Sequence, residues 1–157
     1  MSDNFDFISP TDKAALVAFS TPDWLDAARA ALQELGYKVH TAATHGDFTV
    51  RFAQIRYKVV VIEELFAANS LEENSTLQYL QQLPMNQRRH ACTILLGDSF
   101  QTLTPMQAFR HSVAAVISSS EIFLLRQLFE KAIADNEFFM QSFREAQAGV
   151  LAEGRPR

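Results

Sequence analysis

The chain has 157 residues, 48% of them hydrophobic and 20% charged, with 13 phenylalanines and a formal net charge of −4. That size and composition suit one domain with a substantial core and exclude a chain disordered by composition. The acidic balance lacks the basic surplus of a nucleic-acid footprint, the single Cys92 excludes an internal disulfide, and no apolar run approaches the ~18 residues of a membrane span.

Residues 1–11 are polar and aperiodic and read as a flexible lead-in. They carry no basic segment followed by an apolar one, so no secretion signal is read, and the expected location is the cytoplasm. Residues 14–19 form an apolar run, read as a buried strand. Thr21 and Pro22 open a helix as N-cap and first helical residue. Leu25, Ala28, Leu32 and Leu35 recur at spacings of three and four along it, and Gly36 ends it. Residues 39–43 form a second strand, and residues 47–55 a second helix with Phe48, Phe52 and Ile55 on one face. Residues 58–62 contain Val-Val-Val-Ile, the clearest buried strand.

A polar loop spans residues 67–74, and Leu77, Leu80 and Leu83 mark a third helix stopped by Pro84. Residues 91–96 form a fourth strand, with Cys92 a small buried hydrophobe. Thr104 and Pro105 open a fourth helix reaching Ser112, residues 113–117 form a fifth strand, and a last helix starts at Ser120 and Glu121 and runs to Ala148. Residues 149–157 read as a disordered tail.

Strands that are apolar throughout, alternating with amphipathic helices, require a parallel sheet covered on both faces. The expected fold is therefore α/β: a flavodoxin-like (βα)5 doubly wound domain with a five-stranded parallel sheet and an extended C-terminal helix. In such sheets function sits at the carboxyl ends of the strands. The usual chemistries lack their residues. The histidines at 40, 45, 90 and 111 have no ligand spacing, there is no Gly-x-Ser-x-Gly elbow, and the five glycines form no phosphate loop. No cofactor or metal is expected.

The chain resembles the receiver domain of bacterial two-component response regulators. The resemblance rests on a strand followed by Phe19-Ser20-Thr21-Pro22, a helix ending Glu34-Leu35-Gly36-Tyr37, and the ungapped spacing from Tyr37 to the third strand and from the fourth strand to the fifth. It covers roughly residues 12–135, which places the receiver-like domain at 12–136 and an extension of the last helix at 137–148. The resemblance implies a phosphorelay protein that accepts a phosphoryl group on an aspartate with Mg²⁺ held by an acidic pair, assisted by a hydroxyl residue and a lysine. Here the acidic pair falls on Phe19 and Ser20, the acceptor on Glu63, the hydroxyl on Gly97 and the lysine on Ser119. A lone carboxylate makes a poor site for a hard cation that wants several oxygens. The expectation is a pseudo-receiver, not an enzyme, that binds no Mg²⁺.

Glu63 admits two readings: a solvated acid at a strand end, bonded to Ser118, Ser119 or Ser20, or a standing imitation of a phosphorylated aspartate. Receivers end their last helix near the position of Asn136. Here the apolar pattern continues through Phe138, Phe139, Met140 and Phe143, which implies a second surface, in a dimer or with a partner helix. The expected function is a non-catalytic signalling or scaffold module working by protein–protein interaction. The alternative is a small ligand-binding domain or enzyme using Ser20, Glu63, Asp98 and Ser119 at the strand ends.

Overall fold

Five strands, four of them mostly apolar runs and β2 mixed, are β1 (Ala14–Ala18), β2 (Lys38–Ala42), β3 (Val59–Glu63), β4 (Cys92–Gly97) and β5 (Ala115–Ser118) in the computed structural model, which describes residues 7–9, 11–88 and 90–153. All pair in parallel, in the order β2-β1-β3-β4-β5. Chain order reverses between β1 and β3, which opens a crevice at their carboxyl ends. The helices are α1 (Pro22–Glu34), α2 (His45–Gln54), α3 (Ser75–Gln82), α4 (Met85–Arg88), α5 (Pro105–Arg110) and α6 (Leu125–Glu153).

Side chains alternate across each strand, so the sheet builds two cores. Leu16, Val60, Ile62, Leu95 and Val116 face one way and pack with Phe48, Tyr57, Phe66, Leu77 and Leu80 from the side of α2 and α3. Val17, Val59, Val61, Ile94 and Ile117 face the other way and meet Ala28 and Leu32 of α1 and Leu125, Phe129 and Ala132 of α6. Cys92 lies in this second core, and burial pushes its thiol up to about 12. Among the described residues no helix is long and apolar enough to cross a membrane.

The element boundaries depart from periodicity where caps and turns intervene. Thr44 accepts the Asp47 backbone N–H, so α2 starts at His45. Ser112 has a φ of +59° and the Val113 N–H donates to the Ala108 carbonyl, so residue 113 closes α5 rather than opening β5. The single last helix expected from Ser120 is instead a 3₁₀ turn (Ser119–Leu124), non-helical at Glu121, followed by α6. α4, one turn after Pro84, is too short to show a period.

Two expectations at the chain ends change. Ile8 packs against the first core, so the lead-in is tied to the domain there; residues 1–6 and 10 lie outside the described residues. The expected disordered tail from residue 149 is helical as far as Glu153: α6 runs through Gly149, which a helix interior tolerates at a cost of about 1 kcal/mol; residues 154–157 lie outside the described residues.

His90 stacks on Phe52 with centroids 6.1 Å apart, and its Nδ1 is buried with no hydrogen-bond partner. Burial, then the Arg56 guanidinium, lowers its pKa below the ordinary 6.5, only partly offset by the Asn86 backbone. The folded state therefore binds fewer protons than the unfolded chain, and the stability this provides is present above pH 6.5 and lost as pH falls below it. His90→Phe keeps the stacking and removes the titration. Its urea midpoint is expected to fall less than the wild type's on acidification below pH 6.5, and equal slopes would refute the assignment.

Candidate functional site

The strand ends carry the polar residues that two apolar cores cannot hold. Glu63, the last residue of β3, is only 5% exposed, so its carboxylate needs partners. It finds them at the start of α1. The Ser20 and Thr21 backbone N–H groups donate to Oε1 at 2.8 and 2.9 Å, and Thr21 Oγ1 donates to Oε2 at 2.8 Å. Thr21 occupies the N-cap position but its side chain does not cap the helix; its hydroxyl is turned to Glu63 instead. The carboxylate lies where a helix N-terminus favours negative charge. The solvated reading of Glu63 is therefore corrected: its partners are Ser20 and Thr21, mostly through backbone.

Glu64 is buried as well, and it reaches the other way. Its Oε1 accepts the Ser99 N–H at 3.2 Å beyond β4. Its side chain lies flat against Gly97, where any Cβ would overlap the Glu64 carboxylate and Cβ. The position at which receivers carry a hydroxyl residue is thus filled from the neighbouring strand. Asn74, fully buried, ties the two acids to the next helix. Its Nδ2 donates to the carbonyls of Glu63 and Glu64, each at 3.1 Å, and its Oδ1 accepts the Leu77 N–H at the start of α3.

The remaining positions are also occupied. Phe19 is buried in the second core, and Trp24 packs partly against the same core. Ser20 Oγ accepts the Ala67 N–H at 2.9 Å, which holds Ala67 at a φ of +48°. Ser119 Oγ donates to the Asp98 carboxylate at the rim. An open cleft of about 780 Å³ lies over these groups, its walls including Thr21, Trp24, Glu64, Asp98, Arg110 and His111. Burial, then Arg110, keeps the His111 imidazole below its ordinary value.

The sequence-assigned positions Phe19, Ser20, Glu63, Gly97 and Ser119 all sit at the carboxyl ends of β1, β3, β4 and β5 or one or two residues beyond. They do not fit Mg²⁺: Phe19 offers no oxygen, Ser20 is engaged by Ala67, and the Glu63 oxygens are held by α1. Among the described residues no three His, Cys, Asp or Glu side chains converge to hold a metal ion. Asn74 and the Glu64–Gly97 contact escape a sequence reading. Asn74 has one signal, an Asn directly before a periodic leucine run, which marks an N-cap. Glu64 has none.

The extension divides. Phe138 and Phe139 are 74% and 60% exposed, whereas Met140 and Phe143 are half-buried beside Met85 and His90, along a groove between α4 and α6. Only the first two remain fully available as a contact surface; the other two lie on the domain-facing stripe.

Sheet order and strand-end crevice define the flavodoxin-like doubly wound class, with a long C-terminal helix. Within it the fold is that of a response-regulator receiver domain. The chain is similar to chemotaxis response regulator CheY4 of Vibrio cholerae (TM-score 0.60, 13% identity, 78% of this chain and 99% of that one). It is similar to a CheY-like receiver domain protein from Methanospirillum hungatei (0.61, 15%, 81% and 98%) and to a response regulator from Thermotoga maritima (0.59, 12%, 78% and 98%). No family model matches the chain, and no curated protein matches its sequence.

Substitutions at two positions test this polar network in urea denaturation. Glu63→Ala strands three donors and is expected to cost at least about 2 kcal/mol, with Glu63→Gln costing less because an acceptor oxygen remains. Gly97→Ser, which installs a receiver-type hydroxyl, is expected to cost ~1–3 kcal/mol through overlap with Glu64.

Proposed function

We propose that this chain is a non-catalytic, receiver-like signalling or scaffold module that acts by protein contacts, independently of phosphorylation and without Mg²⁺. One observation carries the reading. The carboxylate at the acceptor position is already committed, Oε1 to two backbone donors and Oε2 to a hydroxyl. Phosphoryl transfer to a carboxylate needs an in-line oxygen and a cation to neutralise the donor's oxygens. Glu63 presents its oxygens to α1, and no ammonium group stands at Ser119 to bind the transferred group. The same geometry disfavours Glu63 as a phosphoaspartate imitation, because its contacts run toward β1 and not toward β4 and β5.

The contact face is the one made by α5, β5 and α6, where receivers engage partners. Here it bears exposed Phe109 on α5 and Phe139 on α6, which line a groove of about 640 Å³. The buried, high-pKa thiol of Cys92 is compatible with a cytoplasmic setting. The strand-end cleft supports a second reading, a ligand-binding domain, because it is concave and polar groups line it.

Incubation with acetyl phosphate and Mg²⁺ is expected to leave the intact mass unchanged. A Mg²⁺-dependent gain of one phosphoryl group on an acidic side chain would overturn the proposal. In parallel, a rise in melting temperature with one class of nucleotide, flavin or metal would favour the ligand-binding reading.

A further inference from the structure

The cleft over the strand ends keeps groups to spare once the polar network is satisfied. Its volume, about 780 Å³, falls within the roughly 300–1,000 Å³ of small-molecule sites. Four carboxylates line it, those of Glu63, Glu64, Glu72 and Asp98, against one guanidinium, Arg110. Glu63 is satisfied by Ser20 and Thr21. Glu64 is satisfied only in part. It is 9% exposed, Oε1 accepts the Ser99 N–H, and Oε2 has no hydrogen-bond partner among the described residues. A buried carboxylate oxygen is costly without a donor, and the open side of Glu64 is the cleft. Asp98 commits Oδ1 to Ser119 and keeps Oδ2.

The wall made by α5 has the opposite character. Gln107 and Arg110 stand three residues apart and share a face. Gln107 accepts the Gln101 N–H through Oε1, so its amide N–H groups stay uncommitted. Arg110 forms no ion pair among the described residues. Burial, then Arg110, lowers the His111 pKa, so this ring adds no cation at pH 7; Glu64 and Glu72 pull the other way, which puts both within electrostatic reach of it. From Trp24 beyond β1 to Asp98 beyond β4 the cleft crosses two strand spacings, roughly 10 Å. An elongated ligand can bridge such a distance and a lone ion cannot.

We propose that this cleft binds a basic amino acid, lysine or arginine, or a compound with the same two ends: the carboxylate on Arg110 and Gln107, the side-chain cation among Glu64, Asp98 and the Trp24 ring. The inference rests on the ligand-binding reading of the cleft and names its ligand class. Glu64, Glu72 and Asp98 against one guanidinium favour a ligand of net positive charge, and a cation gains further from an indole face. The unpaired guanidinium in turn calls for a carboxylate, which it binds through parallel N–H donors. A simple amine leaves Arg110 unanswered, a neutral amino acid leaves Glu64 unanswered, and the phosphates of a nucleotide meet like charge. Leu65 and Leu71 line the cleft as well and can cover the methylene stem.

Trp24 is the only tryptophan in the sequence, so intrinsic fluorescence reads the cleft directly. Titration of the full chain with L-lysine or L-arginine at constant ionic strength is expected to give a saturable change. The affinity is expected to be at least about tenfold tighter than for cadaverine, which lacks the carboxylate, or L-norleucine, which lacks the side-chain cation. Arg110→Gln is expected to weaken the amino acids at least about tenfold and cadaverine not at all, whereas Asp98→Asn weakens all of them. Both side chains are exposed, so neither change disturbs the core, and Glu130→Gln, an equal charge change on α6, leaves binding unchanged. No saturable signal with either amino acid at millimolar concentration overturns the inference, as does equal affinity for cadaverine or indifference to Arg110→Gln. If both amino acids fail while a nucleotide, flavin or metal raises the melting temperature, the ligand-binding reading stands and this ligand class falls. If nothing binds, both fall.

Discussion

A buried carboxylate has to be satisfied, and the way Glu63 is satisfied organises the functional end of this protein. Placed at the end of the central strand β3 with almost no access to water, it takes two backbone donors from the β1–α1 turn, at Ser20 and Thr21, and a hydroxyl from Thr21. Charge-assisted bonds of this kind contribute about 1.5–3 kcal/mol each, and the positive end of the helix adds to them. The consequence is mechanical as well as energetic. β3 and the β1–α1 turn become one unit, and the side chain that would be the phosphate acceptor becomes a structural strut.

The rest of the strand-end network extends this strut sideways. Asn74 binds the carbonyls of both glutamates while capping α3, so the irregular segment between β3 and α3 is fixed at its far end. Glu64 spans to Ser99 and covers Gly97, which couples β3 to the turn after β4. Each of these turns is held by a side chain already in place.

The far end of the molecule obeys a different constraint. An α-helix that outlasts the sheet beneath it loses its burial partner, and a helix in water is marginal without one. α6 recovers part of this by laying Met140 and Phe143 beside α4, and leaves Phe138 and Phe139 in solvent. The occupied strand ends and the overlong helix are the two observations on which the proposed contact role rests.

The sequence by itself determined the alternation of strands and helices, because strands buried on both faces must be apolar throughout and surface helices must repeat near 3.6 residues. The Val-Val-Val-Ile run, the Pro22 and Pro105 helix starts and the Gly36 stop are local signals read by local physics. The departures at the acidic-pair, acceptor and lysine positions were also legible, since residue types need no coordinates. Only the tertiary structure decided where Glu63 points, that Glu64 needs Gly97 to have no side chain, and that Asn74 is fully buried between them. It alone separated Phe138 and Phe139 from Met140 and Phe143. These are facts about residues far apart in the chain, and a sequence period reports which residues share a face without reporting what that face meets.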